Sequence, residues 1–241
     1  MPLLNHKKSK LFLDISIAVT ICLIIGFTIL LFHQKKSYET AAMQYETEKL
    51  NAVCDTGSGG NADSRSIDFS YLDDKNHVIS SWIYIPGTNI DYPVVQGIDN
   101  SIYLNYDAYG NESSYGAIFI DCNNAPDFSD YKTILYGHSM KDGSMFHQLH
   151  DFSSDEFAKD HSELYFYLPD GNILKYHLLC TLKADAYDET IYLDQSTDSL
   201  DHMLKNADHV YEEDNQQKIV LLSTCIRGNS RRVVVFQQNV S

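Results

Sequence analysis

Two segments of the 241-residue chain end an apolar run in a side chain that can do chemistry. One is Thr133-Ile-Leu-Tyr-Gly-His138-Ser-Met, the other Ile219-Val-Leu-Leu-Ser223-Thr224-Cys225. The end of a strand holds a reactive group rigidly while leaving it open to a substrate. Cysteine attacks a carbonyl carbon as its thiolate, and a neighbouring cation favours that ion. A short turn after Cys225 leads to Arg231-Arg232 and then Val233-Val-Val235. If the two runs pair as a hairpin, an arginine at the start of the second lies beside the cysteine. It could stabilise the thiolate and donate to an oxyanion, while a histidine protonates the leaving amine. Arg231 and Arg232 face opposite ways on a strand, so only one of them can serve.

The other reactive side chains have plainer readings. Cys122 and Cys180 lie in or beside strand patterns and are expected to be structural, and Arg227 is read as a solvated turn charge. His147, His150 and His161 fall near Asp151 and Asp160, but their spacing matches no compact zinc pattern, so neither a metal nor another cofactor is expected. The five cysteines, with Cys22 inside an apolar run and Cys54 in a linker-like stretch, form no even disulfide framework.

The elements that must position these residues are mostly short strands. Trp82–Ile85 stops at Pro86-Gly87, and Ile90–Val95 follows at once. Further strands are expected at 116–120, 132–136, 163–168, 173–182, 218–225 and 232–238. In the run ending at Cys225, the residues Ile219, Leu221, Ser223 and Cys225 share one face. Helical patterns are fewer, at 69–76, in a turn near 144–149, and at 199–211 with Asp198 as its expected N-cap. Eight strands with helices in the connections predict a mainly β fold closed into an eight-stranded barrel.

Composition and charge set the compartment. Hydrophobic residues make up 44% and charged residues 21%, ordinary values for a globular chain. The net charge of -15 disfavours nucleic acid, whose phosphates need clustered cations. Against that acidity, five lysines (7, 8, 10, 35 and 36) crowd the first 36 residues, with Asp14 the lone acid there. They flank an uncharged run, Ile15–Phe32, that Leu11–Leu13 can extend. Residues 11–32 are therefore expected to cross a membrane, with residues 1–10 cytoplasmic by the positive-inside bias and the acidic remainder exported. Residues 33–66 read as a stalk helix followed by a Gly/Ser/Asp-rich linker, leaving 67–241 as the functional domain.

The chain resembles the class B sortases. The matching stretches are Trp82-IYIPGTNIDYPVVQG-Ile98-Asp99-Asn100, Tyr103-Leu104, Gly116-AIFI-Asp121, Phe128-SDYKTILYGHS-Met140, Gly143-SMFHQ-Leu149 and Leu222-Ser-Thr-Cys225, and they span nearly all of 67–241. The resemblance implies a sortase-type barrel and a cysteine transpeptidase, with Cys225 as nucleophile, His138 as acid/base and Arg232, directly before Val233, as the catalytic arginine. Ser223 and Thr224 are expected to help bind substrate, and the segment from Ala184 to Tyr211 to shape the groove. The implied partners are exported proteins bearing a C-terminal sorting signal and a peptidoglycan precursor amine. The enzyme is expected in the membrane of a Gram-positive bacterium. A hydrolytic cysteine peptidase and an inactive binding domain on the same barrel are the competing readings. A papain-like enzyme would place its cysteine ahead of its histidine, the reverse of the order here.

Overall fold

The computed structural model describes residues 3–55 and 62–239. The chain divides into two compact units, one ending at Gln44 and one beginning at Tyr45. Helix α1 runs from Leu3 to Ala52. Its stretch from Phe12 onward is long and apolar enough to cross a membrane, and its large apolar side chains are exposed, Phe12 and Leu23 among them.

The second unit is built on one curled sheet. Its strands are β3 (Ile79–Tyr84), β4 (Asp91–Gln96), β5 (Ile118–Ile120), β6 (Lys132–Tyr136), β7 (Glu163–Tyr167), β8 (Ile173–Asp185), β10 (Ile219–Arg227) and β11 (Ser230–Gln238). They run in the order β11-β10-β6-β5-β4-β3-β7-β8, and pairing of β8 with β11 closes the ring. The eight-stranded barrel expected from the turn spacing is thus present. A two-residue strand, β9 (His209–Val210), adds to the outer edge of β8.

Strands β10 and β11 are buried on both faces, which explains their continuous apolar runs. One face puts Leu221, Val233 and Val235 against Ile191, Leu200 and Met203. Those three come from α4 (Glu189–Tyr192) and α5 (Thr197–Lys205), which cover that side. On the other face Phe236 meets the ring of Phe152 edge-on, at 6.1 Å. Each buried aliphatic side chain is worth about 1.5–3 kcal/mol, so this double-sided core fixes the strand pair that carries Cys225.

Three local readings are corrected. The helix expected at 199–211 is capped by Ser196, not Asp198, because the Ser196 side chain accepts the Asp198 N–H. It ends at Lys205, and Asn206 closes it by donating to the His202 and Met203 carbonyls. The turn near 144–149 is a 3-10 turn over His147–Ser153, followed by α3 (Asp155–Asp160).

The third correction concerns where the functional unit begins. Composition assigns 54–66 to a linker, yet β1 (Val53–Asp55) pairs with β2 (Arg65–Ile67), while 56–61 lie outside the described residues. A short helix, α2 (Phe69–Lys75), follows, capped by Asp68. Arg65 is buried and reaches the equally buried Asp91 at 2.6 Å, where Lys49 (2.9 Å) and the Trp82 indole N–H (2.7 Å) also converge. Tyr45 is buried too and donates to the Gly116 carbonyl at 2.7 Å. The compact unit therefore starts at Tyr45 rather than at residue 67, because a buried carboxylate needs cations the composition reading assigned to stalk and linker.

Candidate active site

Strands β6 and β10 are parallel neighbours, with Tyr136 beside Ser223. Continuing that register brings Gly137 alongside Thr224 and His138 alongside Cys225, on adjacent strand ends. Two bonds extend the pairing past the last ladder position. Gly137 N–H donates to the Ser223 carbonyl at 3.3 Å, and the Thr224 hydroxyl donates to the Gly137 carbonyl at 2.7 Å. Glycine is required at 137, since an added Cβ would stand 2.5 Å from Ile118 and 2.7 Å from the Phe146 ring. The His138 ring is half-buried, and its Nε2 lies 2.9 Å from the Leu104 carbonyl, which orients the imidazole.

Cys225 is exposed at the rim. Beyond it the chain turns through Gly228 and Asn229, with Gly228 at φ 56°, a glycine-favouring conformation at the first position of a tight hairpin loop. Arg227 then pairs with Ser230. A hairpin without irregularity would next pair Cys225 with Arg232. Instead a bulge at Ile226 shifts the register, so Cys225 pairs with Arg231 and Thr224 with Arg232. Bulges beside active sites commonly re-aim a side chain in this way.

The arginine expectation is therefore corrected. Arg231 shares the face of Cys225 and lines its cleft, where its guanidinium donates to the Gly228 carbonyl at 2.9 Å. Arg232 is buried on the opposite face and grips Asp208 at 2.6 Å.

The cleft has a volume of about 350 Å³ and is bounded by Leu104, Tyr136, His138, Tyr192, Ser223, Cys225 and Arg231. Ser223 contributes a hydroxyl 3.0 Å from the Tyr192 hydroxyl. Thr224 also lines the cleft, and its hydroxyl donates to the Gly137 carbonyl, which ties the two strand ends together. Burial pushes the Tyr192 and Tyr136 hydroxyls up, so both stay neutral, and the Tyr136 hydroxyl donates to Asp121 at 2.9 Å. Sequence reasoning missed Tyr192 and Leu104 as individuals. Tyr192 does lie within the Ala184–Tyr211 segment expected to shape the groove, and α4 within that segment brings it there.

The remaining reactive side chains stand elsewhere. Cys180 is buried in the core, and burial pushes its thiol up to about 12. The Ser139 hydroxyl sits 3.0 Å from both His147 and His150. The His150 ring also hydrogen-bonds the main chain at Cys225, and burial, then His147 and Arg232, lower its pKa. His161 stacks on Phe157. Among the described residues, no group of three or more His, Cys, Asp or Glu side chains is arranged to hold a metal.

A thiol, an imidazole and a guanidinium around one cleft are the groups that cysteine acyl transfer uses, here held on a β-barrel. Residues 83–240 match the family model described as Sortase domain, and the chain belongs to the sortase family. Among curated relatives, the chain is 33% identical over 180 residues to sortase B of Staphylococcus aureus, covering 69% of this chain and 72% of that one. It is 30% identical over 163 residues to sortase B of Listeria monocytogenes, covering 64% of this chain and 65% of that protein's length. Among solved structures, sortase B from B. anthracis superposes with a TM-score of 0.72 at 28% identity, covering 86% of this chain and 99% of that one. A Staphylococcus aureus sortase B–substrate complex gives 0.66 at 29% identity, covering 72% of this chain and 86% of that one. The relatives are class B, and the class B resemblance read from the sequence stands.

Proposed function

We propose that this chain is a membrane-anchored cysteine transpeptidase that joins exported proteins to a cell-wall amine. The observation that carries the reading is the convergence of Cys225, His138 and Arg231 on one cleft from the ends of three different strands. The Cys225 thiolate attacks the carbonyl of the threonine in a C-terminal sorting signal, and the Arg231 guanidinium donates to the oxygen as it gains charge. His138 protonates the departing amine, leaving a thioacyl-enzyme. An amine of a peptidoglycan precursor then attacks that thioester, His138 takes its proton, and the Cys225 thiolate is released. A solved Staphylococcus aureus relative is a sortase B–substrate complex, which supports a substrate as the occupant of the cleft.

The anchor is proposed at 11–32, with residues 1–10 cytoplasmic and the catalytic unit outside a Gram-positive membrane. The apolar length of α1 and its flanking lysines support that topology. To test the activity, the purified chain is incubated with a sorting-signal peptide, with and without an amine acceptor. Transfer product that requires both the acceptor and Cys225 is the expected result. Hydrolysis at the same rate in both conditions identifies a peptidase, and no turnover of any signal peptide refutes the proposal.

A further inference from the structure

Lys132, the first residue of β6, is fully buried, and the steps proposed above do not use it. Burying a lysine is costly unless its ammonium is matched by acceptors. Here the match is complete, and all three partners lie in the segment that walls the cleft. Nζ donates to the Ile191 carbonyl at 2.6 Å, to the Asp194 carbonyl, and to the Ser199 hydroxyl at 2.9 Å. The Ile191 carbonyl lies in the last turn of α4, the Asp194 carbonyl just beyond it, and Ser199 in the first turn of α5. Carboxylates of Asp194 and Asp121 face the ammonium.

The residue after Ile191 is Tyr192. Its ring stacks on Tyr136 at 6.2 Å and its hydroxyl meets Ser223, two residues before the nucleophile. The α4 turn that carries Tyr192 is only four residues long and cannot hold itself in place. Beyond the Asp188 cap and the core packing of Ile191, its position is set by what grips its carbonyls.

We propose that Lys132 is a positioning residue that clamps the α4–α5 segment against the barrel and so sets, through Tyr192, the affinity and selectivity of the cleft for its peptide. This rests on the peptide-transfer reading of the site, and it adds a residue on the far side of the groove wall that touches neither substrate nor nucleophile. A lysine serving only as a generic core staple would lower overall stability without singling out that wall.

The test compares the full chain in detergent with its Lys132→Met variant. Amide hydrogen exchange is measured first, because it needs no substrate. Losing a charged donor to buried carbonyls should raise exchange across 189–205 by about tenfold or more, while β10 and β11 keep their protection. With peptide, KM should rise about tenfold with kcat within about threefold, and the rate of Cys225 alkylation by iodoacetamide should be unchanged. If Lys132→Met does not fold, Ser199→Ala removes one of the three contacts and should give a smaller rise in exchange confined to the same segment. Unaltered exchange at 189–205 in the folded variant overturns the clamp, as does a fall in kcat with KM intact. A wild type that cleaves no peptide counts against the sortase reading instead, and the exchange result still decides the role of Lys132.

Discussion

Arg231 stands directly across the β10–β11 ladder from Cys225, on the same face and against the same cleft. Its neighbour Arg232 points the other way, where its buried guanidinium pairs with the exposed Asp208. One extra residue, Ile226, produces this arrangement by shifting the ladder a single step after the hairpin turn. A one-residue shift exchanges the faces of all following side chains, so which arginine faces Cys225 hangs on that bulge.

The two arginines should consequently separate in an assay. Arg231→Ala is expected to lose about 10²–10³ in peptide cleavage with its melting temperature unchanged. Arg231→Lys keeps the charge without the planar fork and should recover only part of that loss. Arg232→Ala should instead cost stability, about 1–3 kcal/mol, because it empties a buried position and breaks the pair with Asp208. Cleavage rates and thermal melts of the three variants check this. A dead Arg232→Ala enzyme beside an active Arg231→Ala enzyme would show that the catalytic register is not the one seen in the ladder.

The thiols should separate just as cleanly. Cys225 is exposed, so Cys225→Ala is expected to abolish cleavage while leaving the melting temperature in place. Cys180 is fully buried among core side chains, so Cys180→Ala should stay active and lose about 1 kcal/mol to the small void. Half-buried Cys122 should tolerate alanine in both respects. Urea melts and peptide turnover on the three single variants provide the comparison.

The start of the catalytic unit predicts how the chain responds to truncation. A chain beginning at Ile67 lacks Tyr45, Lys49 and Arg65, leaving buried Asp91 with only the Trp82 indole. Stranding a buried carboxylate costs about 3–5 kcal/mol, or roughly 10 °C in melting temperature for a unit of this size. Melts of chains beginning at Lys36 and at Ile67 would measure the difference. Equal stability would mean that the Asp91 cluster contributes nothing.

Lys132 predicts a pH dependence with a definite sign. Burial pushes its ammonium down to about 8, against an ordinary lysine value of 10.5. Between those limits the unfolded chain holds a proton that the folded chain has released, so stability rises with pH and is lost as pH falls through about 8. Relative to Lys132→Met, the wild type should gain about 2 kcal/mol between about pH 7 and pH 10. Buried tyrosines such as Tyr176, pushed up by burial, act oppositely above their ordinary value, which the difference between the two proteins removes. Urea titrations of both at several pH values would show it, and parallel curves would refute it.

Much of this molecule is already written in its residue pattern. Apolar runs such as Ile219–Leu222 and Val233–Phe236 can satisfy a two-sided core only as strands, so the eight barrel strands were legible one by one. The strand ends that carry Cys225 and His138 were legible because each closes such a run beside small or polar residues, in segments with family-specific wording. Features that depend on two distant segments meeting were not legible. The parallel pairing of β6 with β10 sets His138 beside Cys225, and the Ile226 bulge selects Arg231 over Arg232. The Asp91 cluster draws Lys49 and Arg65 out of apparent stalk and linker, and the α4–α5 carbonyls give Lys132 its purpose. Hydrophobic periodicity reports which side of an element is buried, a local property of the chain. Ladder register and the pairing of a buried charge are fixed by partners far along the sequence, and only the folded chain brings those together.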